Sequence, residues 1–337
     1  MKGVLAWGSV AAIGQKKTAL GNRTMRICHY SILILIATSA ALSTAAEESR
    51  QSENRSTAGV SYQLAPDFPQ LQSKIALEAA SAVATDSKGE ILVFHRGENP
   101  ILRFDVNGKL LHSFGKGMFD SAHGLRVDAN DNIWVTDNAN HTVMKLSREG
   151  HILMTLGKKN EPGEDASHFN KPADIAFSAN GDFYVADGYG NSRIVKFDQA
   201  GKFLMAWGKK GTGPGEFNLP HTVQVDAEGS LYVGDRENNR IQVFDADGKF
   251  IRQIERIAPF GLFITPDQLL FVADGRANKV TKMRLDGSIL TSWGTTGDEP
   301  GNFRMAHGLT VARDGAVYVT EITGKRVQKF VAKAKDD

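Results

Sequence analysis

Leu219-Pro220-His221-Thr222-Val223-Gln224-Val225-Asp226 decides how this chain is read, because the chain repeats its pattern. Ala122-His123-Gly124-Leu125-Arg126-Val127-Asp128 and Ala306-His307-Gly308-Leu309-Thr310-Val311-Ala312 echo it, each with a histidine just before an alternating apolar strand pattern. Downstream of His221 come a second apolar run ending at Asp235 and a third ending in Ile241-Gln242-Val243-Phe244. A turn over Asp245 to Lys249 and a fourth run follow. The position of Asp235 recurs as His95, Asp137, Asp187, Asp274 and Glu321, at intervals of 42, 50, 48, 39 and 47 residues. Periods of about 40–50 residues with four short strands each are the signature of propeller blades. Six such units predict an all-β, six-bladed β-propeller.

The last unit stops after its third strand, at Phe330. A ring must close or leave an open sheet edge. The isolated strand pattern Val60–Leu64 is expected to supply the missing fourth strand of blade six. Two units end in near-copies, Trp207-Gly208…Pro214-Gly215-Glu216-Phe217 and Trp293-Gly294…Pro300-Gly301-Asn302-Phe303. These linkers and the Asn-x-Arg-Ile third strands resemble NHL repeats, a resemblance that covers residues 80–330 and implies fold more than function.

Composition narrows the function. The formal charge is +2, but residues 1–45 hold five bases (Lys2, Lys16, Lys17, Arg23, Arg26) and no acid. Without them 35 Lys+Arg face 38 Asp+Glu, a net of −3, which argues against nucleic acid as partner. Arg26, the apolar run Ile32 to Ala37 and Ser43-Thr44-Ala45 read as a signal peptide, with Met25 as the expected start. The run is too short for a membrane span, so the expected location is secreted or periplasmic. Residues 46–58 read as a flexible lead-in, 59–331 as the propeller and 332–337 as a charged tail. The single cysteine, Cys28, lies in the leader. A metal in the mature domain must therefore use His, carboxylate or backbone oxygen.

Aligning the blades gives the candidate site. The position of His123, His221 and His307 in blades two, four and six is Ser81, Ala173 and Phe260 in blades one, three and five. Alternate blades of a six-fold ring are related by about 120°. Three imidazoles at the start of innermost strands should then converge on the axis. Three histidines with an open fourth position suit a catalytic zinc. The rival reading is three loop histidines, each capping its own strand. The residue after the second strand, Arg96 in blade one and Arg236 in blade four, should flank the same axis, with Tyr189 in blade three. Arginine there can bind a carboxylate or offset developing negative charge. The rival for Arg236 is a salt bridge to Glu237 or Asp235. Near a cation and two arginines the Tyr189 phenol should lose its proton more easily than at the usual pKa of about 10, making it a candidate general base.

Phe94-His95-Arg96-Gly97, the His123-Gly124-Leu125 element, Asp187 to Val195, Pro220-His221, Asp235-Arg236-Glu237-Asn238 and Met305-Ala306-His307 together resemble the peptidyl-α-hydroxyglycine α-amidating lyases. The resemblance implies zinc on His123, His221 and His307, Tyr189 as base, Arg96 and Arg236 as electrostatic stabilisers, and Met305 lining the pocket. It implies cleavage of a peptidyl-α-hydroxyglycine, or a related α-hydroxy amide, to an amide and glyoxylate. The implied partner is that small substrate, and no partner protein is evident. Two positions depart from the family: Gly190 stands where animal members carry a disulfide cysteine, and Gly308 where they carry an acidic calcium ligand. Calcium on the backbone oxygens of Val83 and Leu125 is thereby left open. No copper monooxygenase domain is expected beside the propeller. Two other classes compete, a metal-dependent propeller hydrolase with carboxylate ligands and a secreted, non-catalytic NHL binding module.

Overall fold

The structure is a computed structural model and describes residues 60–71 and 75–333. The expected leader with Cys28 and the lead-in lie outside the described residues, as does most of the expected tail. The described residues form six four-stranded antiparallel sheets and no helix. Consecutive innermost strands touch all the way round, from Ala80–Thr85 in blade one to Ala306–Val311 in blade six and back. That is the six-bladed propeller.

Burial explains the sequence of each strand. Second strands such as Ile91–His95, Leu231–Asp235 and Val317–Glu321 are buried at every residue, because neighbouring blades cover both faces. Their runs are accordingly apolar almost without alternation. Outermost strands such as Leu110–Phe114 are half-exposed. The core is six apolar layers, each between two adjacent blades. One holds Leu92, Phe94 and Ile101 of blade one against Leu125, Ile133 and Val135 of blade two.

Blade six closes as expected, with a small shift in bounds. Tyr62–Ala65, rather than Val60–Leu64, pairs antiparallel with Arg326–Ala332, placing Tyr62 opposite Ala332 and Leu64 opposite Phe330. The Tyr62 ring stacks on Trp293 at 4.3 Å and meets Phe271 edge-on, which fixes the strand against blade five.

The recurrent acidic position pins each incoming loop. Asp137, Asp187, Asp235 and Glu321 are wholly buried. They accept backbone N–H bonds from Ser121, Asn170, Asn218 and Arg304. In blade one His95 does the same work, its Nδ1 accepting from the Glu78 N–H at 3.2 Å. Burial lowers the His95 pKa and so keeps it an acceptor. These loops lead directly into the innermost strands that carry the candidate site.

Candidate metal centre and its pocket

Pairing of the first two strands slips by one residue just where the candidate position falls, in blades one, two, four, five and six. A bulge of this kind re-aims the extra residue. In blades two, four and six it sends His123, His221 and His307 inward, and one ligand nitrogen from each lies within 4.8 Å of the others. All three rings are buried.

The other three blades orient those rings. His123 Nδ1 donates to the Ala173 carbonyl, His221 Nδ1 to that of Phe260 and His307 Nδ1 to that of Ser81, each at 2.7 Å. A carbonyl only accepts, so every Nδ1 carries the proton and every Nε2 presents a lone pair. Ala173, Phe260 and Ser81 are the positions that correspond to the histidines in blades three, five and one. The six-fold register thus alternates imidazole and carbonyl. Burial pushes the His123 pKa down to about 3, helped by Arg96 and Arg236. Burial, then the neighbouring imidazoles, hold His221 and His307 well below the usual value. Neutral imidazoles with fixed tautomers are the form that ligates metal.

Tyr189 closes the group. Its Oη lies 2.9 Å from His123 Nε2 and 3.0 Å from His221 Nε2. One hydroxyl proton cannot satisfy two lone pairs. A cation between them resolves that conflict, and the donor set fits a metal ion. Arg236 Nη1 donates to Tyr189 Oη at 3.2 Å, and its guanidinium lies 4.7 Å from the Phe260 ring centre and 5.3 Å from that of Tyr189. Arg236 also bonds Glu237, so the salt bridge and the site contact coexist, while Asp235 is taken by Arg240. In the chain by itself burial raises the Tyr189 pKa, although Arg236 and Arg96 pull it down. The two arginines alone do not make the phenol acidic.

A cavity of about 320 Å³ opens above the histidines, and Arg96, Tyr189, Arg236, Met305 and His307 all line it. Arg96 is anchored by its Nε–H to the Ala122 carbonyl at 3.3 Å. Met305, 38% exposed, has a left-handed backbone (φ 59°), as does Leu219 (φ 69°), each two residues before a histidine. Ser121, Asn138, Phe260 and Ile322 complete the walls. Ile322 follows Glu321 at the repeat position that holds Arg96 and Arg236, and Ser121 stands two residues before His123 as Met305 does before His307, so blade register was the signal that could have found both.

Val83 and Leu125 lie elsewhere, in a chamber of about 30 Å³ below the histidines, with room for little more than a water or one ion. Its charged side chains are Arg126 and Asp174, already bound to each other. At Gly308 even an added Cβ would come within 2.7 Å of the Ser81 carbonyl oxygen. The residues present do not fit a calcium ion.

Residues 163–256 match a family described as a 6-bladed beta-propeller, and residues 119–146 match the NHL repeat. A Caenorhabditis elegans protein named probable peptidyl-alpha-hydroxyglycine alpha-amidating lyase is 36% identical over 288 residues, covering 73% of this chain and 81% of that protein. The chain belongs to the peptidyl-α-hydroxyglycine α-amidating lyase family. Peptidyl-glycine alpha-amidating monooxygenase B of Xenopus laevis is 34% identical over 78% of this chain, but only 35% of that protein is covered. The chain spans about a third of the length of the first curated relatives it matches. Human NHL repeat-containing protein 3 is 34% identical over 74% of this chain and 78% of its own, and its name states no reaction. Family membership therefore leaves the reaction to be argued from the site.

Proposed function

We propose that this chain is a zinc-dependent carbon–nitrogen lyase that cleaves a peptidyl-α-hydroxyglycine, or a related α-hydroxy amide, to the amide and glyoxylate. The observation that carries the reading is Tyr189 Oη, held against two buried neutral imidazoles and the Arg236 guanidinium. Bound to His123, His221 and His307, zinc would supply a Lewis acid for the substrate hydroxyl and a field that lowers the pKa of a neighbouring phenol.

The chain's own residues do the rest. Arg96 and Arg236 bind the substrate carboxylate through charge-assisted hydrogen bonds and hold the hydroxyl towards Tyr189. Tyr189 as phenolate takes the hydroxyl proton. The C–O bond becomes C=O, the C–N bond breaks, and its electron pair leaves on nitrogen. Tyr189 returns the proton to that nitrogen, giving the amide and an aldehyde acid with all atoms accounted for. Met305 offers an apolar wall to the remaining part of the substrate. We also propose export, resting on the signal-like Arg26 to Ala45 pattern.

The test is elemental analysis of the purified chain joined to glyoxylate release from an α-hydroxyglycine peptide. One zinc per chain with turnover, and turnover reduced by about 10²–10⁴-fold in Tyr189→Phe with zinc retained, is expected. Zinc without turnover rejects the substrate and favours a binding propeller. Absence of zinc rejects the reading altogether.

A further inference from the structure

Directly beneath the histidines an arginine crosses the bore. Arg126 Nε and Nη2 bind Asp174 Oδ1 and Oδ2 at 3.0 and 2.5 Å, a two-point pairing. Nη2 also reaches the Leu262 carbonyl at 3.3 Å and Thr222 Oγ1 at 3.5 Å. Asp174 Oδ2 accepts further from Thr222 Oγ1 at 2.8 Å and from the Val223 N–H at 3.2 Å. The network joins innermost strands of blades two, three, four and five. Arg126 lines both the chamber under the histidines and a cavity of about 260 Å³ below it, so it stands between them.

Its placement along the chain gives the network a role at the site. Asp174 follows Ala173, whose carbonyl orients His123, and Thr222 follows His221. Leu262 lies two residues past Phe260, whose carbonyl orients His221. Two histidines and both their carbonyl partners are thus tied to one guanidinium. We propose that Arg126 and Asp174 form an internal salt lock that fills the place of a structural divalent cation on the axis and positions His123 and His221 for metal binding. Arg126 brings the positive charge to the bore, and Asp174 is the carboxylate that a bound cation would otherwise use. The lock ties blades together as a shared cation does, and it leaves the chamber no free anionic ligand. The positioning half rests on the metal reading above, whereas the calcium half does not.

The experiment uses the full chain as purified. Calcium chloride is added, bound calcium is measured after dialysis, and the melting temperature is recorded. Wild type is expected to retain no calcium and to show no shift. Arg126→Met keeps the length of the side chain but frees Asp174 beside Val83 and Leu125. It should gain a calcium-dependent rise in melting temperature and bind zinc about 10–100-fold more weakly. Arg126→Lys, which keeps the charge without the two-point pairing, should show weakened zinc binding and no calcium response. Stoichiometric calcium in wild type overturns the proposal, as does Arg126→Met with wild-type zinc affinity and no calcium response. Should Arg126→Met fail to fold, wild-type calcium content and the zinc affinity of Arg126→Lys still decide. If wild type binds no zinc, the lyase reading fails and the calcium arm still judges the lock.

Discussion

Blades two, four and six differ from blades one, three and five at one register position, and each set needs the other. In the first set the bulged residue is His123, His221 or His307, and its ring enters the bore. In the second the same register position is Ser81, Ala173 or Phe260, bulged in blades one and five but not in blade three, and its backbone carbonyl receives a ring N–H at 2.7 Å. The side chain matters in one set and the main chain in the other. Six blades are therefore used to build a three-imidazole centre, with half of them fixing the tautomer of the rest.

That division predicts opposite sensitivities. His221→Ala removes a lone pair that nothing nearby can replace, and leaves the Phe260 carbonyl without its donor. Zinc content should fall far below one per chain and glyoxylate release to about 1% of wild type or less, read by elemental analysis and the coupled assay. Full zinc with full activity in this variant would break the comparison at its centre.

The histidine half of the pattern was readable in the letters, because a side chain in register leaves a mark at a fixed period. The carbonyl half was not. Any residue brings a carbonyl, so Ser81, Ala173 and Phe260 look unrelated in sequence although they do the same work. Arg126 was hidden for a different reason. It occupies one step of an alternating strand, where a charged residue usually faces solvent, and only the ring brings it to Asp174, 48 residues on. The recurrent acids were legible as a period marker. Their task, accepting loop N–H groups, was not, because the donors are main-chain groups that any residue brings, and His95 performs it in blade one without a carboxylate. The closing strand starts two residues and ends one residue later than the apolar pattern put it, running from Tyr62 to Ala65.

A second difference between the two sets lies in protons. The ionisable groups at this register are the histidines, and burial lowers all three. An unfolded imidazole takes up a proton near pH 6.5, while folded His123 resists until about 3. The unfolded chain therefore binds more protons in that window, and stability is full above about pH 6.5 and falls as pH drops below it. The slope is at most about 1.4 kcal/mol per pH unit for each buried imidazole. A metal on these nitrogens would keep them deprotonated to still lower pH, extending the window without steepening it. His95 and His141, also lowered by burial, act in the same direction. Urea midpoints at pH 7 and pH 5 should differ more in wild type than in His123→Gln. Equal differences would mean that the triad carries no share of the linkage.

The smallest expected effect is the sharpest test of the carbonyl half. The Ser81 hydroxyl donates to the Phe94 carbonyl at 3.2 Å, and the Ser81 carbonyl accepts from His307. Ser81→Ala deletes the first and keeps the second. Blade three already carries Ala173 at this register, so the backbone there tolerates the methyl group. The loss should be that of one buried hydrogen bond, about 0.5–1.5 kcal/mol in urea denaturation. Zinc content and glyoxylate release should be unchanged. If zinc affinity instead fell tenfold, the serine side chain would be orienting His307, and the alternation of imidazole with main-chain carbonyl would hold in only two of three arms.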